Sequence, residues 1–289
     1  SFDDTLSILN FIYYLRSKKL ADPEFEKIIK SARRFLINQQ SDFDRKGVQD
    51  NTFDGGVGYG SRWAHSDLSN THLAMEALYY AKKTLENKED EDLDLDWDAA
   101  ISFVTKCQNL PSTNSEKWVS KHKDDKGGFV YFPGSSMAGE RENSDGSTAL
   151  RSYGSMSYAG LLSFIYAEMD KKDQRLKAVL SWLNENYRLD ENPGMGQQGL
   201  YYYYHTMAKA LSLSGIDEII DDNINGLLVK PSCPLDLADK ITTIFYNHDL
   251  RESLGSSASK KFNDCFNFET CKFYSRCACP LDSCFGHSI

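Results

Sequence analysis

Residues 2–213 of this chain repeat one pattern, a helix, a second helix and then a glycine turn, and the residues beyond them do not. The turns are Gly55-Gly56, Gly127-Gly128 and Gly194 with Gly196, recurring at about 70 residues, and a fixed period of this kind marks a repeat architecture. A helix pair cannot bury its own apolar faces, so the core has to come from stacking one repeat on the next. From about Gly215 a different pattern begins, GIDEIIDDNINGLLVKPSCPLDLADKI. The sequence therefore divides into 1–213, 214–262 and a cysteine-containing end, 263–289.

Within each repeat one helix opens at an acidic residue or a proline and carries an unbroken apolar stripe. Asp22-Pro23 opens the first, which runs to near Gln40, with Phe25, Ile28, Ile29, Ala32, Phe35 and Leu36 at helical spacing. Asp94–Asp98 opens the second, with Trp97, Ala100, Ile101 and Val104 on one side. Asp173 opens the third, with Leu176, Val179, Leu180 and Leu183. Ahead of these lie helices expected over about 3–18, 67–86 and 153–169, and a seventh over about 200–213. Their apolar faces are interrupted by small and polar residues: Ser69, His72 and Glu76, then Ser155 and Tyr158, then Tyr201 and His205. That composition suits inner helices lining a central space, and the continuous stripes suit an outer layer. Phe35, Trp97 and Trp182 are expected between outer helices. The segment from Leu110 to Arg151 has little helical signal but holds Trp118, Phe129, Tyr131 and Phe132, so order and a short strand at 129–132 are expected there.

The composition, 40% hydrophobic and 26% charged over 289 residues, is that of a soluble globular chain. A net charge of −9 and a pI of about 5.2 argue against nucleic acid or an anionic membrane as the main partner. No apolar run approaches the roughly 20 residues of a membrane helix, so no integral membrane segment is expected. No signal peptide stands at the start, and the chain opens with Ser1 rather than Met, so an N-terminal segment is expected to be missing and the cytoplasm is the expected compartment. Of seven cysteines, five crowd the end, Cys265, Cys271, Cys277, Cys279 and Cys284, without paired C-x2-C spacing. No metal and no cofactor is expected, and 263–289 reads as a disordered tail.

The blocks DGGVGYG, SDLSNTHLAMEAL, KCQN, GGFVYFPG, RSYGSMSYAGLLSFIYA, WLNENYRLDENPGMG and GLYYYYHTMAKAL resemble the prenyltransferase and squalene-cyclase repeat proteins. The resemblance implies a mainly α fold, an incomplete α/α-toroid of alternating inner and outer helices over 1–213. It also implies an isoprenoid or other hydrophobic ligand and, for an enzyme, a squalene-type cyclase. Such cyclases protonate an alkene through a DxDDT motif. Ser1-Phe2-Asp3-Asp4-Thr5 is similar, with Asp3 in the place of the proton donor, Asp4 beside it, and Ser1 replacing the first Asp. Two acids near a helix N-terminus also have a plain structural use. The related protein prenyltransferases hold zinc through Asp, Cys and His. Tyr204-His205-Thr206 is similar to their last block, but Tyr153–Ser157 supplies neither of the other ligands.

His72 and Glu76 share a helix face and form a candidate acid–base pair, with a hydrogen-bonded structural pair as the plainer reading. Asp67 reads most simply as a helix cap, with Ser66 as the rival for that role. Tyr153, Tyr158, Tyr201, Tyr204 and His205 are the candidate ligand-binding residues. At most two of the four consecutive tyrosines 201–204 can face one cavity, because helix neighbours point about 100° apart.

Residues 215–270 resemble the C-terminal end of a GT-B family 4 glycosyltransferase, through Gly215–Ile220 and the turn and short strand Asn225–Val229. An amphipathic helix over Pro234–Tyr246 and another from Asp249 to Phe262 follow, giving a small α/β tail. The paired glutamates that hold the nucleotide sugar in that family are absent. Three readings result: a terpenoid-cyclase-type enzyme, a non-catalytic repeat module binding a hydrophobic ligand or a protein, and a glycosyltransferase piece.

Overall fold

The computed structural model describes residues 8, 10, 23–60, 63–85, 94–213, 221–229 and 234–265, and is mainly helical with two small sheets. The chain separates into two compact units, one reaching to Met207 and the other spanning Ala208–Cys277.

In the first unit α1 (Pro23–Ile37) starts at its proline, where the missing N–H has no helical partner to lose. Strands β1 (Val57–Gly60) and β2 (Trp63–Asp67) form an antiparallel hairpin with Val57 opposite Asp67. The hairpin leads into α2 (Leu68–Thr84), capped by Asp67. Then come α3 (Trp97–Lys106), capped by Asp96, and the hairpin β3 (Glu140–Glu142) and β4 (Thr148–Leu150). They are followed by α4 (Gly154–Tyr166), α5 (Gln174–Glu185), capped by Asp173, and α6 (Leu200–Leu213), within which the division between the units falls. Ile8 and Asn10 are helical, and the rest of the expected helix over 3–18 lies outside the described residues.

Helices α2 and α4 pack on each other at the centre of this unit. Every residue of α4 is buried, and α2 is buried from Leu68 through Tyr79. Side chains such as Leu73, Leu78, Leu161 and Phe164 are at 0–2% exposure, each contributing about 1.5–3 kcal/mol. In α3 and α5 one face is buried and the other is solvated, as their single stripes require.

The repeat is visible bond by bond. Gln40 Nε2 donates to Gly55 O and Asp96 O, and Gln108 Nε2 donates to Gly127 O and Arg175 O, at 2.9–3.0 Å. Each glutamine thus ties a Gly-Gly turn to the start of a later helix, α3 or α5. Gly55 has φ +85° and Gly127 φ +95°; an added Cβ would stand 2.1 Å from Ala99 O and 2.2 Å from Ala178 O. The backbone of the next helix occupies the space a side chain would need, so glycine is required twice over. Thr71 Oγ accepts from Val57 N and donates to Asp67 O; Ser157 Oγ accepts from Phe129 N and donates to Tyr153 O.

Three expectations need correction. Gly194 and Gly196 do not form a third turn of this kind: they close a tight loop bridged by Asn192 and Gly196, and Gly194 approaches Ser152 and Tyr153 rather than a following helix. Phe35 is 41% exposed instead of sitting between outer helices. It stands as far ahead of Gln40 as the fully buried Phe103 stands ahead of Gln108, but Phe103 lies under Gly56, whereas no glycine turn covers Phe35 among the described residues. Trp182 is buried and Trp97 half-buried. The segment 129–132 makes isolated bridges, Phe129 to Gln108 and Phe132 to Ser135, and no strand, because its other hydrogen bonds are spent on single residues of different elements.

The order expected between Leu110 and Arg151 comes from buried polar side chains. Asn109 donates to Leu150 O and Ser152 Oγ and accepts from Ser120 N. Asp125 accepts from Ser120 Oγ and Ser152 N, with Arg141 Nε 3.0 Å away.

The second unit holds α7 (Pro234–Tyr246) and α8 (His248–Cys265). The expected strand at Leu227–Val229 does not form: a loop closes through Asp222, Asn223 and Gly226, and Leu228 N donates to Asp222 Oδ1. A strand needs a neighbour for its backbone groups, and among the described residues of this unit none is offered. Leu254 and Ala258 are buried, whereas Leu235, Ile241, Phe245 and Tyr246 are 57–83% exposed. The tail expected to be disordered, 263–289, is helical over its first three residues, where α8 ends, and the rest of it lies outside the described residues.

Candidate functional site

Helix α2 concentrates buried polar groups where α4 has apolar ones. Asp67, Asn70, His72 and Glu76 are all at 0% exposure, with Ser69 at 7%. Burying such groups is costly without partners, and Asp67 is well supplied. Its Oδ1 accepts from Asn70 N (2.9 Å) and Ser69 Oγ (2.6 Å), and its Oδ2 accepts from Asn70 Nδ2 (2.7 Å). The cap read from the sequence is therefore present. Burial nevertheless raises the Asp67 pKa above the ordinary carboxylate value, against the hydrogen bonds from Ser69 and Asn70 and the charge of His65.

Tyrosines from three separate segments lie within reach of this acid's charge, and a fourth, Tyr59, lies beside Tyr131. The loop after Gly128 delivers Tyr131, whose carbonyl accepts from Leu68 N at the start of α2. Tyr153 precedes α4 and is 4% exposed. Tyr202 comes from α6, its hydroxyl 3.3 Å from His72 Nδ1 and the two rings 6.1 Å apart. Tyr59, from β1, is 39% exposed. The phenols of Tyr131, Tyr153 and Tyr202 are all pushed up, first by burial and then by one another and by Asp67. The same burial and the same carboxylate raise the Cys107 thiol, so that sulfur is an inert neighbour. An aromatic rim adjoins the cluster: the His65 ring stacks on Phe132 at 4.4 Å, with Phe53 at 6.0 Å from His65.

The residues selected from sequence are divided by the fold. His72, Glu76 and Tyr153 lie buried in the central pair of helices. Tyr158 is buried too, but packs on Tyr203 with ring centres 5.6 Å apart. Tyr201 is 88% exposed and His205 is exposed, so neither lines the cluster. Tyr204 is half-buried and donates to Leu189 O at 2.6 Å. The helix phase accounts for this: Tyr203, Thr206, Met207 and Ala210 form the buried stripe, leaving Tyr201 and His205 opposite. Asp3 and Asp4 lie outside the described residues. Tyr202, Tyr131, Tyr59 and Asn70 were not legible as site residues, because the loop and hairpin that bring two of them to Asp67 have no periodicity to read.

A separate groove of about 510 Å³ lies at the other end of α2, lined by Tyr79, Lys82, Lys83, Trp97, Tyr166, Ala167 and Glu168. Arg33 and Lys82 both pair with Asp94 nearby, each at 3.2 Å. No helix of the described residues is long and apolar enough to cross a membrane.

A stretch of 62 residues, 22% of this chain, is 39% identical to the uncharacterized glycosyltransferase MJ1178 of Methanocaldococcus jannaschii. The chain spans 17% of that relative's length, so the likeness supports a glycosyltransferase-like tail and reaches no further. No family model matches the chain, and no solved structure matches it. The comparisons thus give the glycosyltransferase reading partial support and the terpenoid-cyclase reading none.

Proposed function

We propose that the first unit is a ligand-binding repeat module, built as an arc of α/α-toroid type, and that its site is the cluster of buried Asp67, Asn70, His72 and Tyr153 with half-buried Tyr131 and Tyr202. The observation that carries this is the departure of one repeat from the other. Buried Asp67, Asn70, His72 and Glu76 of α2 stand where the matching positions of α4 carry Tyr153, Met156, Tyr158 and Leu162. Core packing alone gives no reason to bury four such groups in one helix only, whereas a mostly apolar site with a few convergent polar groups is the usual form of a small-molecule site. The ligand is hydrophobic over most of its surface, of isoprenoid class. Cyclase chemistry is not part of the proposal. Titration with farnesol, followed by intrinsic fluorescence, should saturate, and Tyr202→Ala and His72→Leu should each weaken binding about tenfold. A flat titration in the folded wild-type chain would remove the reading.

The second reading, a piece of a nucleotide-sugar glycosyltransferase, is favoured by the 62-residue likeness. It belongs to the tail. Nucleotide-sugar binding by the whole chain that survives changes at Tyr202 and His72 would locate that function in the second unit.

A further inference from the structure

The polar groups at the centre of the site restrict what a ligand can present to them. Asn70 is at 0% exposure, and its Nδ2 donates to Asp67 Oδ2 at 2.7 Å. That bond fixes the amide orientation, since the reverse would set the amide oxygen against a carboxylate oxygen. Its Oδ1 is then a buried acceptor with no hydrogen-bond partner among the described residues. Leaving an acceptor unsatisfied in a protein interior costs about 1–3 kcal/mol, so such an atom calls for an explanation.

The electrostatics point the same way. The charges acting on Asp67, Tyr131, Tyr153 and Tyr202 come from one another and from His65, Tyr59 and Cys107; no lysine or arginine of the described residues is among them. The N-terminus of α2 would ordinarily attract an anion, but the Asp67 side chain already occupies it. An anionic head group here would face the Asp67 carboxylate, with His65 the one cation-forming side chain among the charges acting on it in the described residues.

Resting on the ligand-binding reading above, we infer that the ligand's polar end is an uncharged hydrogen-bond donor, a hydroxyl or its equivalent, given to Asn70 Oδ1 beside Asp67, and that phosphorylated forms of the same ligand are excluded. An alcohol meets the free acceptor without adding charge. A phosphate ester brings negative charge and only acceptor oxygens, so it both repels Asp67 and leaves Asn70 Oδ1 unpaired.

The test uses the whole chain and two probes that share one apolar body, farnesol and farnesyl phosphate. Wild-type protein should bind the alcohol at least tenfold more tightly. Asp67→Asn should narrow that preference by raising the affinity for the phosphate, and Asn70→Leu should weaken the alcohol more than the phosphate. Equal or tighter binding of the phosphate by wild type overturns the inference while leaving the site itself standing. Binding of neither probe overturns the site and the inference together. The wild-type comparison requires no variant to fold.

Discussion

Asp67 has two roles in tension, a helix cap that wants its charge and a buried group that resists it. Because burial raises its folded-state pKa, folding takes up a proton between the unfolded value, about 3.9, and the folded value. Its contribution to stability is complete below that window and is lost as pH rises through the folded pKa. Asp67→Asn keeps a capping oxygen without the titration, so urea midpoints of wild type should fall relative to the variant as pH rises from about 3.5 to about 7. A difference that stays constant over that range would show that Asp67 is not buried as described. Asp94 and Asp173 run in the opposite sense. At Asp94 burial raises the pKa, but hydrogen bonds from Leu95, Trp97 and Arg33 bring it below the ordinary value; at Asp173 the Arg175 hydrogen bond lowers it. Their contributions are lost as pH falls through those lowered values. Asp67 was legible as a cap from its place before an apolar run; its tyrosine neighbours were not, since they come from a loop, a hairpin and a distant helix.

At the level of elements, the clearest test concerns how one repeat covers the next. Gly55→Ala and Gly127→Ala should each cost about 2–4 kcal/mol, combining positive-φ strain with a collision against the following helix. Gly134 has φ +88° with open space around it, so Gly134→Ala should cost only about 1 kcal/mol. Thermal melts of the three would separate strain from contact, and equal losses would mean that the close approach to Ala99 and Ala178 contributes nothing. The two matching phenylalanines give a second test. Phe103→Ala should cost about 3–5 kcal/mol and Phe35→Ala less than about 1, because one is fully buried and the other 41% exposed. The starts of α1, α3 and α5 were readable in advance from Pro23, the acidic run Asp94–Asp98 and Asp173, since capping is decided within a few residues, though which acid of that run caps α3 was not. The strands expected at 129–132 and 227–229 failed because a strand depends on a neighbour that a local pattern does not contain.

For the whole molecule, the two compact units differ in how much apolar surface each covers. Backbone amides of α2 and α4 should exchange with solvent orders of magnitude more slowly than those of α7, where Leu235, Ile241, Phe245 and Tyr246 are exposed. Hydrogen exchange read by mass spectrometry would check this, and comparable protection in α7 would mean that its apolar side is covered. The sequence by itself determined the helices, their caps and the glycine repeat, because each depends on contacts within a turn or two of chain or on a period that recurs. It also determined the change of pattern near Gly215 and the likeness of the tail to a glycosyltransferase. Tertiary structure alone decided which of four consecutive tyrosines faces inward, and which glycine turns bear a following helix. It alone left Asn70 Oδ1 unpaired, among the described residues, beside a buried acid. Those outcomes depend on the phase and approach of segments far apart in sequence, which no local spacing encodes.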